Sequence, residues 1–474
     1  MRERLERIVG AERVIDDSEA LGAYRDDYTE ADGRDPGAVV MIETADEIVQ
    51  LMAAARELGA SITPRVANTN IGGIAIPAPG AIVADMTRMN RIIEVNAEEM
   101  YAVIEPGVTQ IQLKEHLEKL GVPLTFGFSL GPPHTSILAN CILDGLTNRS
   151  LRYGSMSQWL SGIEVVLGDG KMMKTGAWAI EGVQPFGRPP LPDLTGVFTA
   201  FQGTTGITTK AVFQLWPKHR FEKRLFILGY DSGSTFAAMQ SLCWLEICED
   251  VGVLSWPNGK MMMGVQHPHP VPDPDEPLYF LYVDLTADLP EQMALRERMV
   301  NSVLEDLREQ GARFENPLDI QTLLTVNPAM GVFAEFPVDL KYLYDHPGGG
   351  LSWMGTYGPI SRFATCADAC SDIMVRQDYP PAIVSRPMRG GHFGVLRFLV
   401  TFDKSDAGER RRVRALMEVL LEEVVGRGFA MYKTPDWALD RLRDRIDPRM
   451  RQLARDLQRL TDPDRVLNPG KMVL

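Results

Sequence analysis

The chain has little cysteine: five residues among 474, with no CxxC pair. That excludes a disulfide framework, and Cys243/Cys248 and Cys366/Cys370 read as buried reduced thiols in helix-like spacing. No apolar run approaches the roughly 18 residues needed to cross a bilayer. Basic clusters are missing too. Lys and Arg total 49 against 63 Asp and Glu, a formal net charge of −14. A surface that acidic repels nucleic acid and anionic lipid. No GxGxxG follows a strand, and Gly470-Lys471 lacks the upstream glycine of a phosphate-binding P-loop. Met1-Arg2-Glu3-Arg4-Leu5-Glu6-Arg7 is charged and carries no apolar signal segment, so a cytoplasmic location is expected. No repeat of solenoid period occurs.

What is present is an ordinary globular balance, 45% hydrophobic and 24% charged, in a chain long enough for two domains. The first part alternates helices and strands. Ile48, Leu51, Met52 and Ala55 form a helical stripe over 44–58, opened by a capping box at Thr44 and Glu47 and closed by Gly59. Short strands are expected at 62–64, 81–84, 92–95 and 101–105, and a helix over 110–120 ends at Gly121. Residues 163–175 read as a hairpin round Asp169-Gly170. After Trp216-Pro217 the texture changes: strand 225–228, helix 234–250, strand 278–283, helix 289–310, strand 393–400, helix 407–427. That is the outline of a second, α+β unit.

Three segments have the composition of ligand-binding loops. In the first, Arg65-Val66-Ala67-Asn68-Thr69-Asn70-Ile71-Gly72 follows a strand, and its consecutive amides can form a nest for a pyrophosphate. Read alone, an ordinary turn explains it as well. The second joins Pro132, His134, Thr135, Ser136 and Asn140 to the loop at Tyr153-Gly154, equally readable as a pair of surface loops. The third is the terminus, Asp462-Pro463-Asp464-Arg465-Val466-Leu467-Asn468-Pro469-Gly470-Lys471.

With that terminus the chain resembles the FAD-linked oxidases of the vanillyl-alcohol oxidase superfamily, whose last helix ends in a similar LNPGK turn. Residues 64–74 and 89–109 match the same family's FAD domain in order, and Phe201-Gln202-Gly203-Thr204-Thr205-Gly206-Ile207 is similar to its segment beside the adenine. The resemblance covers most of 40–215 and 428–474. It implies an α+β fold: a two-subdomain FAD-binding domain of about 1–217 completed by 428–474, with an inserted α+β cap at 218–427. It also implies that Arg65, Val66, Ala67, Asn68, Thr69, Asn70, Ile71, Gly72, Pro132, Thr135, Ser136, Asn140, Tyr153, Gly154, Gly206, Ile207, Asn468 and Lys471 hold FAD.

The 4-phenol-oxidising branch of that superfamily is most similar, through 387–401 and Gly428-Phe429-Ala430-Met431-Tyr432-Lys433. The branch carries Tyr-Arg where Tyr432 and Lys433 stand, and there the pair binds a phenolate oxygen. The resemblance also puts His134 near the flavin ring and His392 near the substrate, as candidate catalytic groups beside Tyr432 and Lys433; histidines bonded to loop backbone are the alternative. Arg386 or Arg389 can be solvated loop charges or hold a substrate carboxylate. The departures are Ile71 for a second phenolate-binding Tyr, Ser129 for an active-site Asp, and Met354 near the His that anchors flavin covalently. Dissociable FAD is therefore expected. Tyr342 and Tyr344 are the nearby residues able to make another link. His267 and His269, lacking a third ligand, read as exposed loop and no metal site is expected.

The expected activity is hydride transfer from a benzylic or allylic carbon of an aromatic or phenolic substrate to flavin N5, reoxidised by oxygen or an electron-accepting protein such as a cytochrome. Homo-oligomers are common among the relatives and are expected by analogy. The alternatives are FAD-linked oxidation of a 2-hydroxy acid or other alcohol on the same fold, and a flavin-free binding protein.

Overall fold

The computed structural model describes residues 1–326, 328–338 and 340–473. A four-stranded sheet runs in the order Val14–Ile15, Ala38–Met41, Ile82–Asp85, Ile62–Arg65, the last three parallel. Helix Ala45–Leu58 carries the chain from Ala38–Met41 across to Ile62–Arg65, and Ile82–Asp85 then pairs between these two parallel strands. Its start is the expected capping box: Glu47 N–H donates to Thr44 Oγ1, and the Glu47 carboxylate accepts from the Thr44 amide. Gly59 closes the helix in the left-handed region at φ 60°. Ile48, Leu51, Met52 and Ala55 are fully buried against this sheet. The terminal segment joins it, with Asn468 N–H donating to Ile62 O at 2.7 Å.

A second, five-stranded antiparallel sheet has the order Ile92–Asn96, Tyr101–Ile104, Ile207–Gln214, Leu160–Val166, Met172–Lys174. The expected hairpin is its last pair. Helix Gln110–Leu120 packs Leu113 and Leu117 into the core behind it.

Eight antiparallel strands form the third sheet, in the order Leu318–Asp319, Phe221–Gly229, Tyr279–Ala287, Asp250–Ser255, Ala382–Met388, Phe393–Asp403, Gly349–Gly358, Ala430–Met431. Helices Ser232–Trp244, Pro290–Glu309, Phe363–Arg376 and Ala407–Gly426 cover one face. Side chains alternate between faces along each strand. Leu396, Phe398 and Val400 therefore enter the helix-covered core, and Val395, Arg397 and Leu399 point to the other face.

Two expectations change in this region. Helix 234–250 stops at Trp244, and Asp250–Ser255 is a strand inserted between two others. Strands Gly349–Gly358 and Ala382–Met388 were not anticipated; four glycines at 349, 350, 355 and 358 hide the alternation of the first. All five cysteines are buried and unbridged. Among the described residues no helix is long and apolar enough to cross a membrane.

Candidate active site

A single cleft runs from the end of strand Ile62–Arg65 to the uncovered face of the eight-stranded sheet. At the first end the chain offers loops. Arg65 Nη2 donates to the Ala23 carbonyl at 2.8 Å, and its guanidinium lies 4.7 Å from the Tyr24 ring centroid. Asn68 adopts φ 52° and Gly73 φ 71°, which bends the loop back on itself. The loop is braced from outside. Asn70 Oδ1 accepts from Gly72 N–H, Asp27 from Gly73 N–H, and Lys471 Nζ donates to Gly73 O while pairing with Asp436. The amides of 67–71 make no hydrogen bond among the described residues. Beside them Asn68 Oδ1, Ser129 Oγ, Gln202 Oε1 and Asn468 Oδ1 are buried without partners. Buried polar groups are rarely left so, and several round one cleft mark a polar ligand's place. Gly206 keeps the wall close: a Cβ there would meet Val165 Cγ2 at 2.6 Å. Free amides, unpartnered side chains and small residues together fit an FAD pyrophosphate and its neighbours.

The other end is made of side chains. Tyr432 is buried, its ring stacked on Tyr357 at 4.3 Å and edge-on to Trp353 at 5.3 Å. Arg397 Nε donates to Tyr432 Oη at 2.9 Å. Burial pushes the Tyr432 hydroxyl up to about 12 while Arg397 opposes it, so the group is a neutral donor. Lys433 holds φ 48°, and its Nζ donates to Asn140 Oδ1 at 2.8 Å. Burial, then the charge of Arg397, brings that amine down to about 7. Deeper in the sheet face, Arg224 pairs with Asp284, and Arg386 with Asp250 and the Tyr282 hydroxyl. Burial raises Asp250, and Arg386 opposes the rise. Leu254, Met262, Phe333, Leu351 and Leu399 make the remaining wall apolar.

The cleft collects Arg65, Val66, Ala67, Asn68, Thr69, Asn70, Ile71, Thr135, Ser136, Asn140, Gly206, Ile207, Asn468, Tyr432 and Lys433 from the sequence-based set. Gly72, Pro132 and Lys471 lie behind the lining; a Cβ on Gly72 would sit 2.8 Å from the Lys433 carbonyl, so that glycine lets the two loops touch. Tyr153 is outside the cleft, stacked on Trp216 at 4.9 Å, and Gly154 follows it. His134 and His392 are exposed and outside it as well. Ser129 and Ile71, the departures noted above, do line the cleft.

Arg386 is not a solvated loop charge; it sits in a strand, 2% exposed, in an ion pair. Met354 points into the helix-covered core, and its strand neighbour Trp353 is the one facing the cleft. Arg397 is a lone charge set in an apolar strand segment, whereas Arg224 follows Glu222 and Lys223 and carries no such mark; neither was among the residues expected in the site. Tyr342 and Tyr344 both line the cleft, and Tyr344 donates to Thr69 O at 3.2 Å. No group of three His, Cys, Asp or Glu side chains among the described residues is placed to share a metal ion.

Residues 36–176 match the family described as FAD binding domain. The chain is 25% identical to the flavoprotein subunit of 4-cresol dehydrogenase (hydroxylating) from Pseudomonas putida, over 99% of this chain and 94% of that protein. It is 30% identical to glycolate oxidase subunit GlcD of Bacillus subtilis (strain 168), over 48% of this chain and 47% of that one, about half the relative's length. Among solved structures, p-cresol methylhydroxylase with substrate bound has a TM-score of 0.86 at 22% identity, covering 100% of this chain and 96% of that one. That likeness carries the fold.

Proposed function

We propose that this chain, whose residues 36–176 match an FAD binding domain and whose fold is like that of p-cresol methylhydroxylase, is an FAD-dependent oxidoreductase that takes hydride from a benzylic or allylic carbon of a small aromatic substrate. The observation that carries the reading is the Tyr432–Arg397 hydrogen bond beside Lys433, set in an apolar wall of the same cleft that holds the unpartnered loop amides.

Residues 65–71 with Thr135, Ser136, Asn140 and Asn468 would hold FAD, which when bound would supply the hydride acceptor. Tyr432 directs its proton to the substrate's oxygen, because Arg397 already occupies its lone pair. A donor with a cation behind it is the stronger kind. Lys433, near half-neutral at pH 7, can take that oxygen's proton at Nζ. The ionised oxygen then pushes electron density through the ring to the carbon losing hydride. Trp353, Phe333 and Leu399 pack the ring and exclude water.

The cap comprises 218–427 and the FAD domain the rest; the eight-stranded sheet draws its strands from within 221–403, with Ala430–Met431 added from beyond the boundary. The flavin is dissociable, since the strand position facing the cleft is Trp353. Electrons leave to oxygen or to a protein acceptor such as a cytochrome.

Anaerobic reduction of the purified holoenzyme by 4-alkylphenols and aromatic alcohols is the test. Tyr432→Phe should slow flavin bleaching about 10- to 100-fold, and acid precipitation should leave the yellow colour in the supernatant. An unchanged rate in the variant would sink the role given to Tyr432. Similarity to a glycolate oxidase subunit favours a second reading, oxidation of a 2-hydroxy acid; bleaching by D-lactate and by no aromatic compound would put it first.

A further inference from the structure

Three arginines on the uncovered face of the eight-stranded sheet line the cleft, and their partners differ. Arg224 is matched by Asp284 at 2.5 Å and also donates to the Phe333 carbonyl. Arg386 is matched by Asp250 and donates to the Tyr282 hydroxyl. Both charges are neutralised within the protein.

Arg397 is not. Its side chain makes one hydrogen bond, through Nε to a neutral phenol. Both terminal nitrogens are without hydrogen bonds, and no carboxylate among the described residues is within ion-pair reach. Two rings attend it, Trp353 at 5.1 Å and Tyr432 at 5.8 Å from centroid to guanidinium carbon. Such contacts offset only part of the cost of a cation in apolar surroundings. A guanidinium cannot shed its proton to escape that cost. The adjacent cation, Lys433, is already bonded to Asn140. Opposite Arg397 in the strand register lies Gly355, and the Trp353 indole lies over that glycine, 3.0 Å from where a Cβ would stand, so the ring that attends Arg397 is fixed in place.

We propose that the substrate carries a carboxylate, taken by the two free terminal nitrogens of Arg397, which leaves the Tyr432 hydroxyl and Lys433 to the oxygen that is ionised. The fork presents parallel N–H groups that match a two-oxygen anion better than a single phenolate oxygen. The rest of the wall, Leu254, Phe333, Leu351 and Leu399, selects an apolar body. The substrate class is therefore an aromatic carboxylate. This rests on the reading of the cleft as the substrate site of an aromatic-oxidising flavoenzyme.

The test uses oxidised holoenzyme titrated with benzoate, phenylacetate and the isosteric benzamide and phenylacetamide, followed by perturbation of the flavin absorbance. The acids should bind at least about 10-fold more tightly than the amides, and Arg397→Met should weaken the acids about 100-fold while FAD stays bound. Arg397→Lys should keep part of the preference. Equal binding of acid and amide would overturn the carboxylate. So would 4-alkylphenols that perturb the flavin as strongly as the acids, and that result would leave the parent reading standing. Loss of FAD from both variants would assign the guanidinium to the cofactor and also overturn the proposal. If no aromatic compound perturbed the flavin, both readings would fall together.

Discussion

At one end of the cleft the chain presents backbone, and at the other it presents side chains. The amides of 67–71 and the close-packed Gly206 form a surface shaped by conformation, with the side chains of Asn70, Asp27 and Lys471 bracing it. The sheet face works by position instead. Arg224, Tyr282, Arg386, Arg397 and Trp353 stand on rigid antiparallel strands, where alternate residues share a face. A conformational surface suits a constant ligand such as a cofactor, and it tolerates little change in the loop. A surface of side chains can be re-specified one residue at a time without disturbing the sheet. The two ends should therefore respond differently to substitution.

The largest effect should come from a residue that touches no ligand. Gly72→Val forces a Cβ against the Lys433 carbonyl, 2.8 Å away, where the obstacle is backbone. Overpacking of this kind costs about 1–3 kcal/mol, and relief by moving the loop displaces the amides of 67–71. FAD content after purification should fall, with a dissociation constant raised about 10- to 100-fold. Full FAD occupancy in this variant would break the comparison, because the loop would then not bind through its shape.

The same contrast explains what could be read from the sequence. Thr44 with Glu47, Gly59, Gly121 and the loop at 64–74 were legible because backbone conformations leave marks in residue type. The cap was read poorly. Nothing local stops a helix through Cys243, Leu245 and Ile247; the chain leaves it where Glu246 takes φ 55°, and pairing of Asp250–Ser255 between two strands overrides the local pattern. Arg397 had a signal, a lone charge among Leu396, Phe398 and Leu399, but the same signal fits a paired structural arginine such as Arg386. Only the partner tells them apart, and partners come from other strands.

Lys433 joins the two ends, its carbonyl against Gly72 and its amine on Asn140, so it sharpens the comparison through pH. The buried amine titrates near 7, against 10.5 for an ordinary lysine. It is charged below that value and able to accept a proton above it. Flavin reduction by a substrate that must lose a hydroxyl proton should rise through pH 7, and Lys433→Met should flatten the profile and lower the plateau by about 10-fold or more. Stability has its own sign. Between pH 7 and 10.5 the unfolded lysine binds the proton that the folded one has released, so stability rises with pH across that window. The cost of a buried charge is complete below 7. Lys433→Met should therefore raise the melting temperature most at pH 6 and least at pH 10. A profile that keeps its rise in the variant would move the titration to another group.

The smallest effects should fall on the two histidines that sequence alone made attractive. His134 is exposed between Pro133 and Thr135, and His392 is exposed after Gly391. Neither belongs to the backbone surface or to the sheet face. His392 does have an indirect route inward: its ring meets Phe393 edge-on at 6.1 Å, Phe393 meets Tyr357 at 5.6 Å, and Tyr357 stacks on Tyr432. Phe393, Tyr357 and Tyr432 remain packed on one another without the imidazole, so the disturbance should fade before it reaches the hydroxyl. His134→Ala and His392→Ala should leave FAD affinity and the rate of flavin reduction within about twofold, as exposed substitutions usually do. A tenfold loss in His392→Ala, with FAD retained, would mean that the loop at 389–392 closes over the cleft during turnover. The substrate end would then be part loop after all, and the division between a conformational end and a positional one would hold only for the resting enzyme.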